Sequence, residues 1–309
     1  MPITEHQLEL RKKHVGSSDT AAIMGINPFK SAYDVWLEKT GQLQETEAPP
    51  ESESMGIGKM IENSLLDWGF LELPDTVRGG AGMVKNQYRV HEGGILSATH
   101  DALLSGAPVG LEAKTSGILS PSAARDQWGE PWTDAVPDHV IIQCQHQMIV
   151  SRLETVFVPA LLGGRGRVMF KVVNSPDLAD AILFKVEAFW VKCVQAGTPP
   201  DNSMPTVEVA RLRKRVEGKS IPLADELVQA WKEEREALKL QEEKLRNAEA
   251  AIMAALGDAE IGTASDCRVK MISGKSSWLD AKALAAEVPD VAAKFTRTKD
   301  YRYPKVVKL

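Results

Sequence analysis

An α/β domain built on a central mixed sheet flanked by helices, followed by a long helix and short strands, is the fold class that the sequence predicts. Three observations predict it. Apolar residues recur at helical spacing over residues 18–41 and again in GIGKMIENSLLDWGFLEL, where Ile61, Leu65 and Trp68 share one face. Between about 81 and 116 the period falls to two, with glycine-rich breaks. From Pro222 onward, Trp231, Leu238, Leu245 and Ile252 repeat every seven residues.

Each element follows from local chemistry. Ser18 or Asp19 is placed to cap a helix entering TAAIMG, NPFK turns the chain, and SAYDVWLEKTG ends on Gly41. QETEAPPESES, rich in Pro, Glu and Ser, is an exposed connection. MVKNQYRV, ILSATHDALL and VGLEAKTS read as strands of one antiparallel sheet. PDHVIIQCQHQMIVSR opens with Pro137 and Asp138 in helix-start positions, and ETVFVPALLG returns to strand. GGRGR at 163–167 stands between apolar runs, where a Gly-Gly pair ordinarily turns a hairpin; the alternative is a phosphate cradle. Trp128 and Trp132, in a Pro-containing loop, read as packing residues. The seven-residue seam is narrow, since its companion positions hold Glu234, Gln241 and Ala248, so a helical hairpin or a helix lying on the core fits better than a self-paired coiled coil. CRVKMISG and YRYPKVVKL close the chain as strand-like segments. The domains expected are 1–205 for the core and 206–309 for an appendage packed on it.

Composition excludes several classes. With 309 residues, 43% hydrophobic and 26% charged, the chain has the make-up of an ordinary globular protein able to bury a core. Cys144, Cys193 and Cys267 stand far apart with no CxxC pair, which supports neither a disulfide framework nor a cysteine metal site. No stretch reads as a membrane span, and MPITEHQLELRKKH lacks the features of a secretory signal, so a cytoplasmic address is expected. A net charge of -5 runs against a protein that grips a polyanion, unless carboxylates are concentrated at a metal and the basic residues line the polyanion's path.

The strongest chemical signal is Asp101 in ATHDALL, then Glu112 and Lys114 in VGLEAKTS. Side chains two apart on a strand share a face, so Glu112 and Lys114 point together while Leu111 and Ala113 face the core. Phosphodiester hydrolysis calls for a hard cation, and Mg2+, or Mn2+ in its place, prefers carboxylate and carbonyl oxygens. Asp101 and Glu112 supply such oxygens; Lys114 can orient the attacking water or neutralise the phosphate. The plain alternative is a solvated Glu and Lys pair on a strand, with an unrelated Asp nearby. Further along, His139, Gln143 and Gln147 stand four apart as a neutral polar ridge opposite Val140, Cys144 and Met148, a surface suited to sugar and phosphate oxygens.

Four segments carry a resemblance beyond this triplet. LRKKHVGSSDTAAIMGINPFKSAYDVWLEKTG, GIGKMIENSLLDW, ATHDALL with LEAKT, and IIQCQHQMIVS occur in the order seen in the YqaJ-like viral recombinases. That family is grouped with phage lambda exonuclease in the PD-(D/E)XK nuclease superfamily, whose restriction-endonuclease-like core the resemblance implies. It also implies a Mg2+-dependent 5′-to-3′ exonuclease on linear double-stranded DNA that leaves 3′ overhangs for a single-strand annealing protein. A ring-shaped homotrimer and a phage or prophage gene in a bacterial host are implied as well. Matched residue by residue, Asp101 and Glu112 resemble metal ligands, with the Ala113 carbonyl a further oxygen, and Lys114 the catalytic lysine. Glu62 resembles an additional acid; on its own it reads as a helix-flank glutamate in solvent. Arg11, Ser18 and Gln143 resemble the residues that hold the 5′ phosphate, although Ser18 would equally serve as a helix cap. Met55 resembles the apolar wedge that parts the strands, or else it covers the helix beginning near Lys59. The rival readings are a structure-specific endonuclease or resolvase with the same metal core, and an inactive DNA-binding relative. An enzyme that opens internal sites has no use for a terminal-phosphate pocket, and an intact Asp101, Glu112 and Lys114 set argues against inactivity.

Overall fold

A computed structural model of the protein describes residues 10, 12–43, 53–119, 128–275 and 280–296. The chain forms two compact units, 1–214 and 215–309.

The first unit begins with helices α1 (Ser17–Ile23), α2 (Ala32–Lys39), α3 (Glu53–Glu72) and the short α4 (Asp75–Arg78). Strands β1 (Met83–Val90), β2 (Ser97–Leu104), β3 (Val109–Leu111) and β4 (Lys114–Ser116) follow, then helix α5 (Asp138–Ser151). Strands β5 (Thr155–Leu162) and β6 (Gly166–Val173), helix α6 (Pro176–Phe189) and helix α7 (Val207–Leu212) complete it. The sheet is mixed: β1, β2 and β3 pair antiparallel, both β3 and β4 run parallel to β5, and β6 returns antiparallel on the other edge of β5. This is the α/β class that the sequence predicts, with one correction. VGLEAKTS is not a continuous strand of an antiparallel sheet but breaks into β3 and β4 at Glu112 and Ala113.

The break has a cause in the facing strand. The Glu112 amide donates to the Phe157 carbonyl at 3.0 Å, so Phe157 turns its main-chain groups toward β3. Two residues on stands Pro159, whose nitrogen faces the same way and carries no hydrogen. The ladder bond from residue 159 to the Glu112 carbonyl therefore cannot form, and pairing resumes only at Lys114 opposite Ala160.

Other details also depart from the sequence reading. Gly16, not Ser18 or Asp19, caps α1; Asp19 is its third residue and accepts the Gly16 amide at 3.2 Å. Met55 sits within the first turn of α3 rather than in a loop, because that helix begins at Glu53. The GGRGR segment is a hairpin turn, and Arg165 donates to the carbonyls of Trp128 and Gly129. Helix α3 crosses β5 closely at Gly69, where any Cβ would lie 2.7 Å from Pro159. Trp128 is buried against Phe170.

In the second unit, helix α8 (Asp225–Leu256) carries the seven-residue seam, and Leu238 and Leu245 on it are exposed. A hairpin of β7 (Ile261–Thr263) and β8 (Arg268–Lys270) and helices α9 (Ala281–Glu287) and α10 (Pro289–Phe295) follow. YRYPKVVKL lies outside the described residues. Among the described residues no helix is long and apolar enough to cross a membrane.

One core contact has a measurable consequence. His146 is fully buried between the Thr20 hydroxyl at 2.7 Å and the Ser97 carbonyl at 2.9 Å. A carbonyl only accepts, so Nε2 carries the proton and Nδ1 accepts from Thr20. Burial holds the imidazole down at about 4, so the folded state prefers it neutral. This stabilisation is complete above the unfolded value near 6.5 and is lost as pH falls from there toward 4, amounting to about 3 kcal/mol over the window. Thermal melts of wild type should lose stability between pH 6.5 and 4 more steeply than those of His146→Gln. Parallel curves would remove His146 as the source.

Candidate active site

The broken strand places the Asp101, Glu112 and Lys114 side chains at one point. Glu112 is buried at 3% exposure, yet both of its oxygens are engaged. Oε1 accepts from Lys114 Nζ at 2.6 Å and from Gln143 Nε2 at 2.5 Å, and Oε2 accepts from Gln147 Nε2 at 2.6 Å. Lys114 Nζ also donates to Gln143 Oε1 at 2.8 Å. Asp101 comes from β2 and its Oδ2 accepts the Ala113 amide at 2.9 Å, a side chain standing in for the neighbouring strand's carbonyl.

Electrostatics explain why so many donors gather. Burial, then the carboxylates of Glu112 and Glu62, raise the Asp101 carboxyl well above its usual range, while Lys114 and the Ala113 amide oppose the rise. Burial disfavours the charge on Lys114, but Glu112 and Asp101 outweigh it and the net shift is upward. A single ammonium thus faces two close carboxylates and a third nearby, an arrangement that a divalent cation would relieve. Among the described residues no three His, Cys, Asp or Glu side chains are gathered as a metal cage. A cation held by Asp101, Glu112 and the Ala113 carbonyl would complete its shell with water and substrate oxygens. That is how Mg2+ is commonly bound.

Asp101 opens onto a cleft of about 350 Å³. Ser18, Glu62, Asp101 and Gln143 line it together, so four residues singled out from the sequence meet in one place. Arg11 lies outside the described residues. Met55 is exposed on α3.

Two features went unread in the sequence. Gln147, noted only as part of a ridge, holds the second oxygen of Glu112, whereas His139 packs edge-on against Phe29. The cleft wall opposite the sheet is a charge network in which Asp19 accepts from Lys30 at 2.7 Å and from Lys39 at 2.7 Å, and Lys30 also reaches Glu38 at 2.6 Å. Burial works against the Asp19 charge, but the two ammonium groups prevail and hold its carboxyl well below the usual carboxylate range. The only hints were a lysine ending NPFK and another nine residues later.

The fold and site thus define an α/β domain that presents an Asp on one strand and a Glu-x-Lys pair across the break in its neighbour, beside a polar cleft. Residues 6–154 match the family model described as the YqaJ-like viral recombinase domain. The chain is similar to the uncharacterized protein YqaJ of Bacillus subtilis (strain 168), at 27% identity over 305 residues, covering 94% of this chain and 90% of that one. Among solved structures, it is similar to an alkaline exonuclease from Laribacter hongkongensis at 17% identity. That likeness covers 63% of this chain and 94% of the other, with a TM-score of 0.47, or 0.48 for the complex of that enzyme with dAMP.

Proposed function

We propose that the protein is a divalent-metal-dependent deoxyribonuclease that digests linear duplex DNA from its ends, 5′ to 3′, leaving 3′ overhangs. The observation that carries this reading is the gathering of Asp101, Glu112 and Lys114, with Gln143 and Gln147 fixing Glu112, beside a cleft that Asp101 and Gln143 line. When bound, Mg2+ or Mn2+ supplies Lewis-acid stabilisation of the phosphate and lowers the pKa of the attacking water. The chain's own groups do the rest. Gln147 and Gln143 hold Glu112 in one orientation, in which it would serve as a ligand when the cation is bound. Lys114 Nζ holds a proton and a positive charge beside the scissile phosphate, where negative charge develops.

End dependence is argued from Ser18 at the cleft rim and, through the resemblance, from Arg11, with Gln143 as their partner at the 5′ phosphate. Met55, exposed at the start of α3, is assigned the wedge role through the resemblance. The resemblance extends the proposal to a homotrimeric ring and a single-strand annealing partner in the cytoplasm of a bacterial host, with the gene carried by a phage or prophage.

The test is digestion, with Mg2+, of linear and circular duplexes labelled at one 5′ or one 3′ end. The expected result is loss of 5′ label from linear duplex only, with no reaction in EDTA. Cutting of the circle would favour the endonuclease reading, and no cutting of either substrate would overturn nuclease function.

A further inference from the structure

The cleft holds two polar features that the chemistry above does not use, one on the sheet wall and one on the charge-network wall. The first is the Tyr88 hydroxyl, on β1 opposite Thr99. It is buried, lines the cleft, and has no hydrogen-bond partner among the described residues. A buried hydroxyl left unsatisfied calls for an explanation, and a ligand oxygen is one. The second is Lys30. Its partner Asp19 is also held by Lys39; both lysines line the cleft, but the Lys39 side chain is only 4% exposed, whereas that of Lys30 is 22% exposed. Lys30 leans outward on Glu38, which is more exposed still and also lines the cleft.

We propose that Lys30 and the Tyr88 hydroxyl bind a backbone phosphate of the DNA strand lying in the cleft, at a subsite separate from the metal carboxylates. Asp19 is the positioning residue, anchored by Lys39 so that Lys30 keeps its place. Glu38 is a place-holder: it occupies the outer side of Lys30 until a phosphate, carrying more charge-accepting oxygens, replaces it. The ammonium and the phenolic O–H donate to phosphate oxygens, which are the same at every nucleotide, so the contact is blind to sequence. The subsite also addresses the net charge of -5, since a cation neutralised in the empty protein is released to the substrate on binding.

This inference rests on the nuclease reading, and its test separates the two. Binding of a linear duplex with 5′-hydroxyl ends is measured with the full chain in Ca2+ from 50 to 200 mM salt, beside the melting temperature of every variant. Lys30→Ala should flatten the slope of log K against log salt by about 0.9, the amount expected for one phosphate contact. Glu38→Gln should bind several-fold more tightly at low salt, because it removes the competitor for Lys30. Tyr88→Phe should weaken binding several-fold with the slope unchanged. A purely structural network gives the opposite pattern: Glu38→Gln would lower the melting temperature without tightening binding, and that result overturns the proposal. So does a wild-type slope in folded Lys30→Ala; if that variant fails to fold, Glu38→Gln decides. Wild-type affinity in Tyr88→Phe removes the hydroxyl from the subsite and overturns the subsite as stated. Absence of any wild-type binding to duplex overturns the nuclease reading and this inference with it.

Discussion

Lys114→Ala and Glu112→Gln should each lower the rate of DNA cleavage by about a thousandfold or more, while binding of duplex in Ca2+ stays within a few-fold of wild type. The asymmetry follows from where the groups act. A preorganised charge aimed at the developing phosphate contributes about a hundred- to a thousandfold on its own, and loss of a carboxylate ligand adds a deficit in metal affinity. The ground-state grip on DNA depends instead on contacts along the backbone. Glu112→Gln keeps the shape of the buried side chain and so isolates the charge. Single-turnover digestion, with circular dichroism to confirm folding, is the measurement. A rate within tenfold of wild type in either variant would place that residue outside the reaction.

The largest effect on stability is expected from Asp19→Ala. Removing this carboxylate leaves Lys30 and Lys39 without the partner they share. Lys30 retains Glu38 and can swing toward solvent, but the Lys39 side chain is 4% exposed and cannot do so without unpacking α2. Breaking a buried pair from one side costs about 3 to 5 kcal/mol, and about 2 to 4 °C is lost per kcal/mol for a unit of this size. The melting temperature should therefore fall by roughly 10 °C, with Lys39→Met in the same background restoring much of it. A fall of less than about 2 °C would show that Lys39 relaxes into water and that the network is only superficial.

How much of this was legible in the sequence depends on the range of the interaction concerned. Asp101, Glu112 and Lys114 were readable as neighbours because a short hairpin and a two-residue spacing keep them close, and the structure joins Glu112 to Lys114 at 2.6 Å although the expected strand breaks between them. The helix from Asp138 was readable because its start is encoded locally at Pro137. Asp19 was half readable: its tendency to bond a nearby amide was recognised, but it reaches back to Gly16 from the third helical position instead of capping the helix itself. Its ties to Lys30 and Lys39 come from the segment leading into α2 and from the last residue of that helix, and leave no periodic trace. Gln147 was on the correct face, yet nothing local tells which amide of a ridge meets a carboxylate 35 residues away. The start of α3 was misjudged because Gly, Ser and Glu at 53–58 lack helical periodicity, and the close approach of Gly58 to Thr115 is a long-range contact that the local sequence does not reveal.

Pro159 lies in none of the motifs, yet it governs the geometry on which they depend. A residue with an amide hydrogen there could complete the ladder to the Glu112 carbonyl and draw the kinked segment into a regular strand. The Ala113 amide could then exchange the Asp101 carboxylate for an ordinary cross-strand carbonyl. The interruption is therefore encoded by a missing hydrogen 47 residues from Glu112 in the chain, and it costs the protein one rung of its sheet. Scanning the cleft with alanine would never expose this control. Screens for altered activity should include the back of the sheet, where a substitution that strengthens the fold would dismantle the site.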